Sequence, residues 1–127
     1  MSDLSGRDLR MSHKFIVNDA AKLIKAGDVE GLRKFVEEIN AKNYAYNIGD
    51  ALQTCFMNSC SYGKKEIFDL LYGYYSDHLD EVTKIGFRSP GFIGYCKTLI
   101  KRHPDISLEI IEKLEKMAKG EELLTIN

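Results

Sequence analysis

The chain has 127 residues, of which 44% are hydrophobic and 29% charged, and its formal net charge is −1. This composition is typical of one globular domain and argues against an intrinsically disordered chain. The balanced charge disfavours a duplex-binding protein that relies on bulk positive charge. No apolar run approaches the roughly 18 residues that a membrane-spanning helix needs, so we expect a soluble protein.

From residue 12 onward, apolar residues recur at the three- and four-residue spacing of amphipathic helices, and no stretch keeps the two-residue alternation of a strand. Glycines and prolines divide this pattern into pairs of helices. Three helix–turn–helix units are predicted, at 12–39, 48–75 and 89–118. The sequence therefore predicts a single all-α domain over 12–119, between a flexible leader at 1–11 and a tail at 120–127.

Two connectors separate the predicted units. Residues 40–47, NAKNYAYN, are polar and aromatic. Residues 76–88, SDHLDEVTKIGFR, are longer and predict either one helical turn or a short helix around 79–85. After the second connector, Ser89 and Pro90 give a capping hydroxyl followed by proline at the first helical position, which is a strong start signal for a helix.

The second helices of the three units have similar sequences. They read GDVEGLRKFVEEI from residue 27, GKKEIFDLLYGYY from residue 63 and HPDISLEIIEKLEKM from residue 103. The first two share Gly-x-x-Glu at a spacing of 36 residues, and a glutamate precedes each apolar run, at Glu30, Glu66 and Glu109. Such internal similarity indicates stacked helical repeats, in which neighbouring units bury each other's apolar faces. The alternative is an irregular helical bundle.

The second unit resembles an ankyrin repeat. Its segment GKKEIFDLL, from Gly63 to Leu71, is similar to the Gly-His-x-Glu-Ile-Val-x-Leu-Leu pattern of that family's second helix. Ala51-Leu52 and Ser59-Cys60 stand where the family has its Ala-Leu start and its pair of small residues. The family's Thr-Pro-Leu-His start is absent from every unit, and His103-Pro104 replaces the expected third glycine. The resemblance implies three stacked units in an ankyrin-like α-solenoid and a role in protein binding.

The three cysteines, Cys55, Cys60 and Cys96, fall on apolar helical stripes. Their spacing, even with His103 added, matches no common zinc pattern, so we expect buried thiols, no metal site and no cofactor. Free cysteines, and a leader without the apolar core of a signal peptide, favour a reducing cytoplasmic location. No nucleophile with a matching base is evident, and we predict a protein without catalytic activity.

Partner contacts are predicted mainly from tyrosines, which combine a large contact area with a hydrogen-bonding tip. The predicted partner-binding residues lie in the connectors and at one helix end: Tyr44, Tyr46, Asn47, Tyr62, Phe87 and Arg88. We therefore expect an interaction module that binds and masks another protein. A small inhibitor or adaptor of viral or phage type fits a chain of this size.

A basic cluster gives a second hypothesis. Lys97 and Lys101 are four residues apart on one helix face, and Arg102 follows them. Such a face can contact an anion, so the alternative function is a helical regulator that binds nucleic acid or a nucleotide. Favourable positive charge at a helix C-terminus is the simpler explanation of the same residues. The oligomeric state is left open by the sequence.

Overall fold

The computed structural model describes the backbone of residues 18–41 and 45–120, and the side chains of 18–38 and 51–120. Within these residues every regular element is an α-helix and no strand occurs. The helices are α1 over 18–26, α2 Val29–Ala41, α3 Ala45–Tyr62, α4 Lys65–His78, α5 Glu81–Phe87, α6 Pro90–Ile100 and α7 Pro104–Lys119. The predicted all-α class is confirmed.

Six of these helices form three consecutive pairs, joined by turns of two or three residues: α1 with α2, α3 with α4, and α6 with α7. Contacts between pairs join helices in equivalent positions, because α3 packs against α6 while α4 packs against both α2 and α7. The short α5 packs against α3. These are contacts that side-by-side stacking requires, and the ankyrin-like arrangement stays a prediction.

The first two turns share one backbone conformation. Gly27 and Gly63 have φ angles of 72° and 65°, in the left-handed region that only glycine adopts readily. In both turns the N–H after the glycine donates to the carbonyl five residues earlier, from Asp28 to Leu23 at 3.0 Å and from Lys64 to Ser59 at 2.9 Å. This bond defines the Schellman ending of a helix. The Gly-x-x-Glu similarity thus corresponds to the same turn in two units.

Each later turn packs onto the turn before it. The side chain of Lys64 covers Gly27, where a Cβ would lie 3.6 Å from its Nζ. The imidazole of His103 covers Gly63 more closely, since a Cβ there would lie 2.5 Å from Nδ1. His103 Nε2 donates to the carbonyl of Ser61 at 2.9 Å. The third turn contains no glycine, but its N-cap residue holds the second turn in place.

An aromatic cluster around Phe56 of α3 forms the centre of the core. Its ring centroid lies 5.2 Å from Phe68, 5.8 Å from Phe87, 6.1 Å from Phe92 and 6.5 Å from Tyr75, each in an edge-to-face arrangement. Such pairs contribute about 0.5–1.5 kcal/mol beyond the burial of their area. Four successive helices, α3 to α6, each supply at least one ring and are thereby joined.

The second connector is a helix anchored in this core. Asp80 caps α5 by accepting from the Thr83 N–H at 2.8 Å. Phe87 is 1% exposed, so its predicted role as a partner contact is wrong: its ring is needed inside the aromatic cluster. Lys84 is also buried, and its Nζ donates to the Ser76 carbonyl at 3.0 Å, in the last turn of α4. A cation is favourable there because the helix C-terminus carries partial negative charge.

Candidate binding surfaces

The remaining predicted partner residues do not form one described surface. Tyr44 lies outside the described residues; Tyr46 and Asn47 lie in α3, with side chains outside the described set. Tyr62, the last residue of α3, is 41% exposed. Arg88 follows α5, and its guanidinium pairs with Glu81 at 3.2 Å. These two side chains stay candidates for partner contact, and no geometry joins them to Phe87 in the core.

The predicted basic face is partly neutralised. Lys97 Nζ lies 3.2 Å from the carboxylate of Glu115 on α7, so its charge already has a partner. Lys101 is the C-cap residue of α6, and both Lys101 and Arg102 are exposed in the turn before α7. The cations therefore lie at a helix C-terminus, where they interact favourably with the helix dipole.

Large apolar side chains are exposed on the last three helices, and the sequence prediction missed them. We call this group the α5–α7 apolar set. It comprises Val82 at 79% exposure, Ile85 at 62%, Tyr95 at 54% and Leu108 at 81%. A sequence signal exists for Leu108, because it stands two residues from both Ile106 and Ile110 and so faces away from their stripe.

Two glycines extend the exposed face of α6 around Tyr95. Gly91 and Gly94 are both exposed, and a Cβ added at either would meet no atom within 4 Å. Glycine inside a helix costs roughly 0.5–1 kcal/mol relative to alanine, and packing against the described residues does not require it here. The three residues fall at the i, i+3, i+4 positions of one helix face, so the backbone beside Tyr95 is open to close approach.

A groove of about 510 Å³ lies between α2 and α4. Its apolar lining comes from Val29, Val36, Leu70, Leu71 and Tyr74. Its polar lining comes from Arg33, Glu37, Glu66, Asp69, Asp77 and His78, and Gly73 completes it. The volume falls within the range of protein ligand sites, but half of the lining residues are polar or charged, whereas small-molecule sites are lined mainly by apolar side chains. No sequence motif indicated this groove.

An ion-pair network lies beside the groove and joins α4 to α7. The Asp69 carboxylate accepts from Lys113 and from Lys65, the latter at 2.9 Å, while Lys65 also lies 3.8 Å from Glu109. Partial burial would raise the pKa of Asp69, but the hydrogen bonds from the two lysines outweigh it and the pKa is lowered. The negative charge of Asp69 is therefore balanced by Lys65 and Lys113 of the same chain.

The predicted burial of the three cysteines is confirmed, and all three are free thiols. Burial raises the pKa of Cys55 from 9.0 to about 12. The pKa of Cys96 is raised by a hydrogen bond with Cys60 and by burial. Because the thiolate is the reactive form, these shifts make Cys55 and Cys96 poor nucleophiles in the folded chain.

Over 18–38 and 51–120, no three His, Cys, Asp or Glu side chains gather closely enough to hold a metal ion. None of the helices described has both the length and the apolar composition for crossing a bilayer. Comparisons of the chain with protein-family models, with curated proteins and with solved structures each gave no match.

Proposed function

We propose that this chain is a protein-interaction module, which acts by binding a partner rather than by catalysis, and that the α5–α7 apolar set is its contact surface. One observation carries the proposal: every large apolar side chain more than half exposed in the described residues belongs to α5, α6 or α7. Confinement of these four residues to three consecutive helices favours a contact surface there over the scattered exposure that is ordinary on protein surfaces.

The set is well suited to binding because a packed scaffold holds it. Tyr95 and Leu108 lie on α6 and α7, which pack against each other and are further joined by the pair between Lys97 and Glu115. Val82 and Ile85 lie on α5, whose position is set by buried Phe87. Side chains that are already held in place lose less conformational entropy on association. A larger part of the free energy of apolar contact therefore contributes to the affinity.

The proposed architecture is a short ankyrin-like stack of the three helix pairs. Support comes from the equivalent turns at Gly27 and Gly63 and from the covering of each by the next unit's N-cap side chain. Such a slab presents its surface rigidly, and its work is steric, as an inhibitor or adaptor that masks a partner. The three buried free thiols fit a reducing intracellular compartment.

The proposal is tested by photocrosslinking. p-Benzoylphenylalanine is placed at Tyr95 or Leu108, with matched controls at exposed Lys22 and Lys25 in α1. After irradiation in an extract of the source cells, mass spectrometry identifies what is attached. We expect one discrete protein at both Tyr95 and Leu108 and none at the control positions.

Equal labelling at all four positions, or none at Tyr95 and Leu108, would contradict the α5–α7 contact surface. Crosslinks to nucleic acid that disappear in Lys101→Glu with Arg102→Glu would instead favour the alternative regulator. That alternative has less support at present, because Lys97 is already paired with Glu115.

A further inference from the structure

The groove between α2 and α4 is elongated. Residues lining it run from Val29 to Glu37 on α2 and from Glu66 to His78 on α4. At 1.5 Å per helical residue these stretches span about 12 Å and about 18 Å. The two helices begin side by side, since a smaller cavity of about 370 Å³ is lined by residues from 26–29 and 63–67. A trough of this shape matches two to three turns of a helix.

The free charge around the groove is negative. Of its four carboxylates, Asp69 is neutralised by Lys65 and Lys113. Glu37, Glu66 and Asp77 make no ion pair within the described residues and are exposed at the groove. The one guanidinium, from Arg33, already lies 3.4 Å from Glu30. Three carboxylates are thus available to a cationic partner.

The floor of the groove is apolar and partly aromatic. Val36 and Leu71 are buried there, while Val29, Leu70 and Tyr74 are only partly covered. The Tyr74 ring packs 4.9 Å from the His78 ring, which fixes one wall. An occupant must therefore combine apolar side chains facing the floor with positive charge at the rim.

Gly73 gives an independent indication of close approach. It lies in the interior of α4, where glycine costs roughly 0.5–1 kcal/mol relative to alanine. A Cβ at this position would meet no atom within 4 Å, so nothing in the described chain requires the glycine. The space that a side chain would fill belongs to the groove. The missing side chain leaves the α4 backbone accessible to a second helix.

We propose that the groove between α2 and α4 binds a basic amphipathic helix of a partner protein. Its apolar face lies on the partly covered Val29, Leu70 and Tyr74, and its lysines or arginines meet Glu37, Glu66 and Asp77. The site shares no residue with the α5–α7 apolar set. Either proposal can therefore fail while the other stands.

The probe is a fluorescein-labelled peptide of leucine and lysine, long enough for about three to four helical turns, with its leucines on one helix face. Binding is followed by fluorescence anisotropy at about 0.15 M salt, where distant charges are screened. A peptide of the same composition with scrambled order tests for bulk attraction. We expect the patterned peptide to bind at least about tenfold more tightly than the scrambled one.

Two pairs of variants locate the site. Glu37→Gln with Asp77→Asn is expected to weaken binding about tenfold, while Asp19→Asn with Glu112→Gln, the same charge change at exposed positions off the groove, leaves it unchanged. Gly73→Leu fills the groove and is expected to weaken binding at least about tenfold. Asn18→Leu, which places the same side chain at an exposed, uncharged position of α1 off the groove, is the matched control.

Circular dichroism and thermal melting establish that each variant is folded. Equal binding by the Gly73→Leu and Asn18→Leu variants would overturn the proposal, and so would equal binding of the two peptides. The same weakening in both pairs of charge variants would show attraction to net charge alone and would overturn it as well.

Discussion

The first helix pair and the last three helices, α5 to α7, present different surfaces. In the described part of α1 and α2, the exposed side chains are polar or charged apart from Ala26. On α5, α6 and α7, four large apolar side chains are more than half exposed. Terminal units of a helical stack normally need a polar outer face for solubility. The described residues of the first pair meet this requirement and α5 to α7 depart from it, and the proposed contact surface rests on that departure.

The interior does not share this difference. Buried apolar residues come from both ends of the described chain, including Ala20, Ile24 and Leu32 near its beginning and Ile110, Leu114 and Met117 near its end. The contrast therefore concerns the outer faces alone. Substitutions can test it by separating effects on folding from effects on the surface.

The largest effect is expected from Phe87→Ala. Removing a buried ring from the aromatic cluster should lower the free energy of unfolding by about 3–5 kcal/mol, measured by urea denaturation. Ile85→Ala, on the exposed side of the same helix, is the control and should change it by less than about 0.5 kcal/mol. Similar small losses in both variants would mean that α5 is not anchored by Phe87.

Alanine at the two turn glycines should have unequal effects. Both positions require a left-handed conformation, which costs a non-glycine residue about 1–2 kcal/mol. At Gly63 the new Cβ would also meet the His103 ring at 2.5 Å, so Gly63→Ala should cost about 2–4 kcal/mol and Gly27→Ala about 1–2 kcal/mol.

Adding His103→Ala to Gly63→Ala isolates the contact between the turns. If the turns stack as described, the double variant should lose less stability than the sum of the two single variants. Strict additivity in urea denaturation, or equal losses at the two glycines, would refute the packing of His103 on Gly63.

Asp69→Asn should have a moderate effect that depends on pH. The pKa of Asp69 is lowered in the folded chain, so its stabilisation is present above the unfolded value of 3.8 and is lost as pH falls through the folded value. We expect Asp69→Asn to cost about 1 kcal/mol at pH 7. The difference from the parent chain should disappear in strong acid. A difference independent of pH would show that the network is not ionic.

The smallest effect on stability is expected at the α5–α7 apolar set. Val82→Ser with Leu108→Gln should change the free energy of unfolding by no more than about 0.5 kcal/mol per substitution. The same pair should reduce binding of the dye bis-ANS, which reports exposed apolar surface. Lys22→Gln with Lys34→Gln on the first helix pair is the control. An equal reduction of bis-ANS binding in that variant would contradict the difference between the two surfaces.

Periodicity alone predicted the helix pairs, because an amphipathic helix of more than ten residues repeats its pattern several times. The seven residues of α5 pass through only two turns, and Phe87 at the end of that helix could be assigned either to the core or to a loop surface. Lys84 was equally unpredictable, since a lysine is buried only when a tertiary partner such as the Ser76 carbonyl is in place.

Neither candidate surface could be predicted in full. The groove combines residues from α2 and α4 that are far apart in sequence, and it exists only after those helices pack. From the sequence, Gly73 only predicts a less stable position within a helix. That a Cβ there would meet no described atom within 4 Å is visible only in the structure. Leu108 is the exception, since its offset from the apolar stripe is visible in the sequence.

The burial of all three thiols provides an internal reporter of breathing motions. A thiol of pKa about 12, such as that of Cys55, is alkylated at neutral pH only when its surroundings open. Cys55 and Cys60 lie on α3, and Cys96 lies on the neighbouring α6. Pulsed alkylation of the unaltered chain, followed by peptide mapping, would therefore show whether these two helices separate together or one before the other.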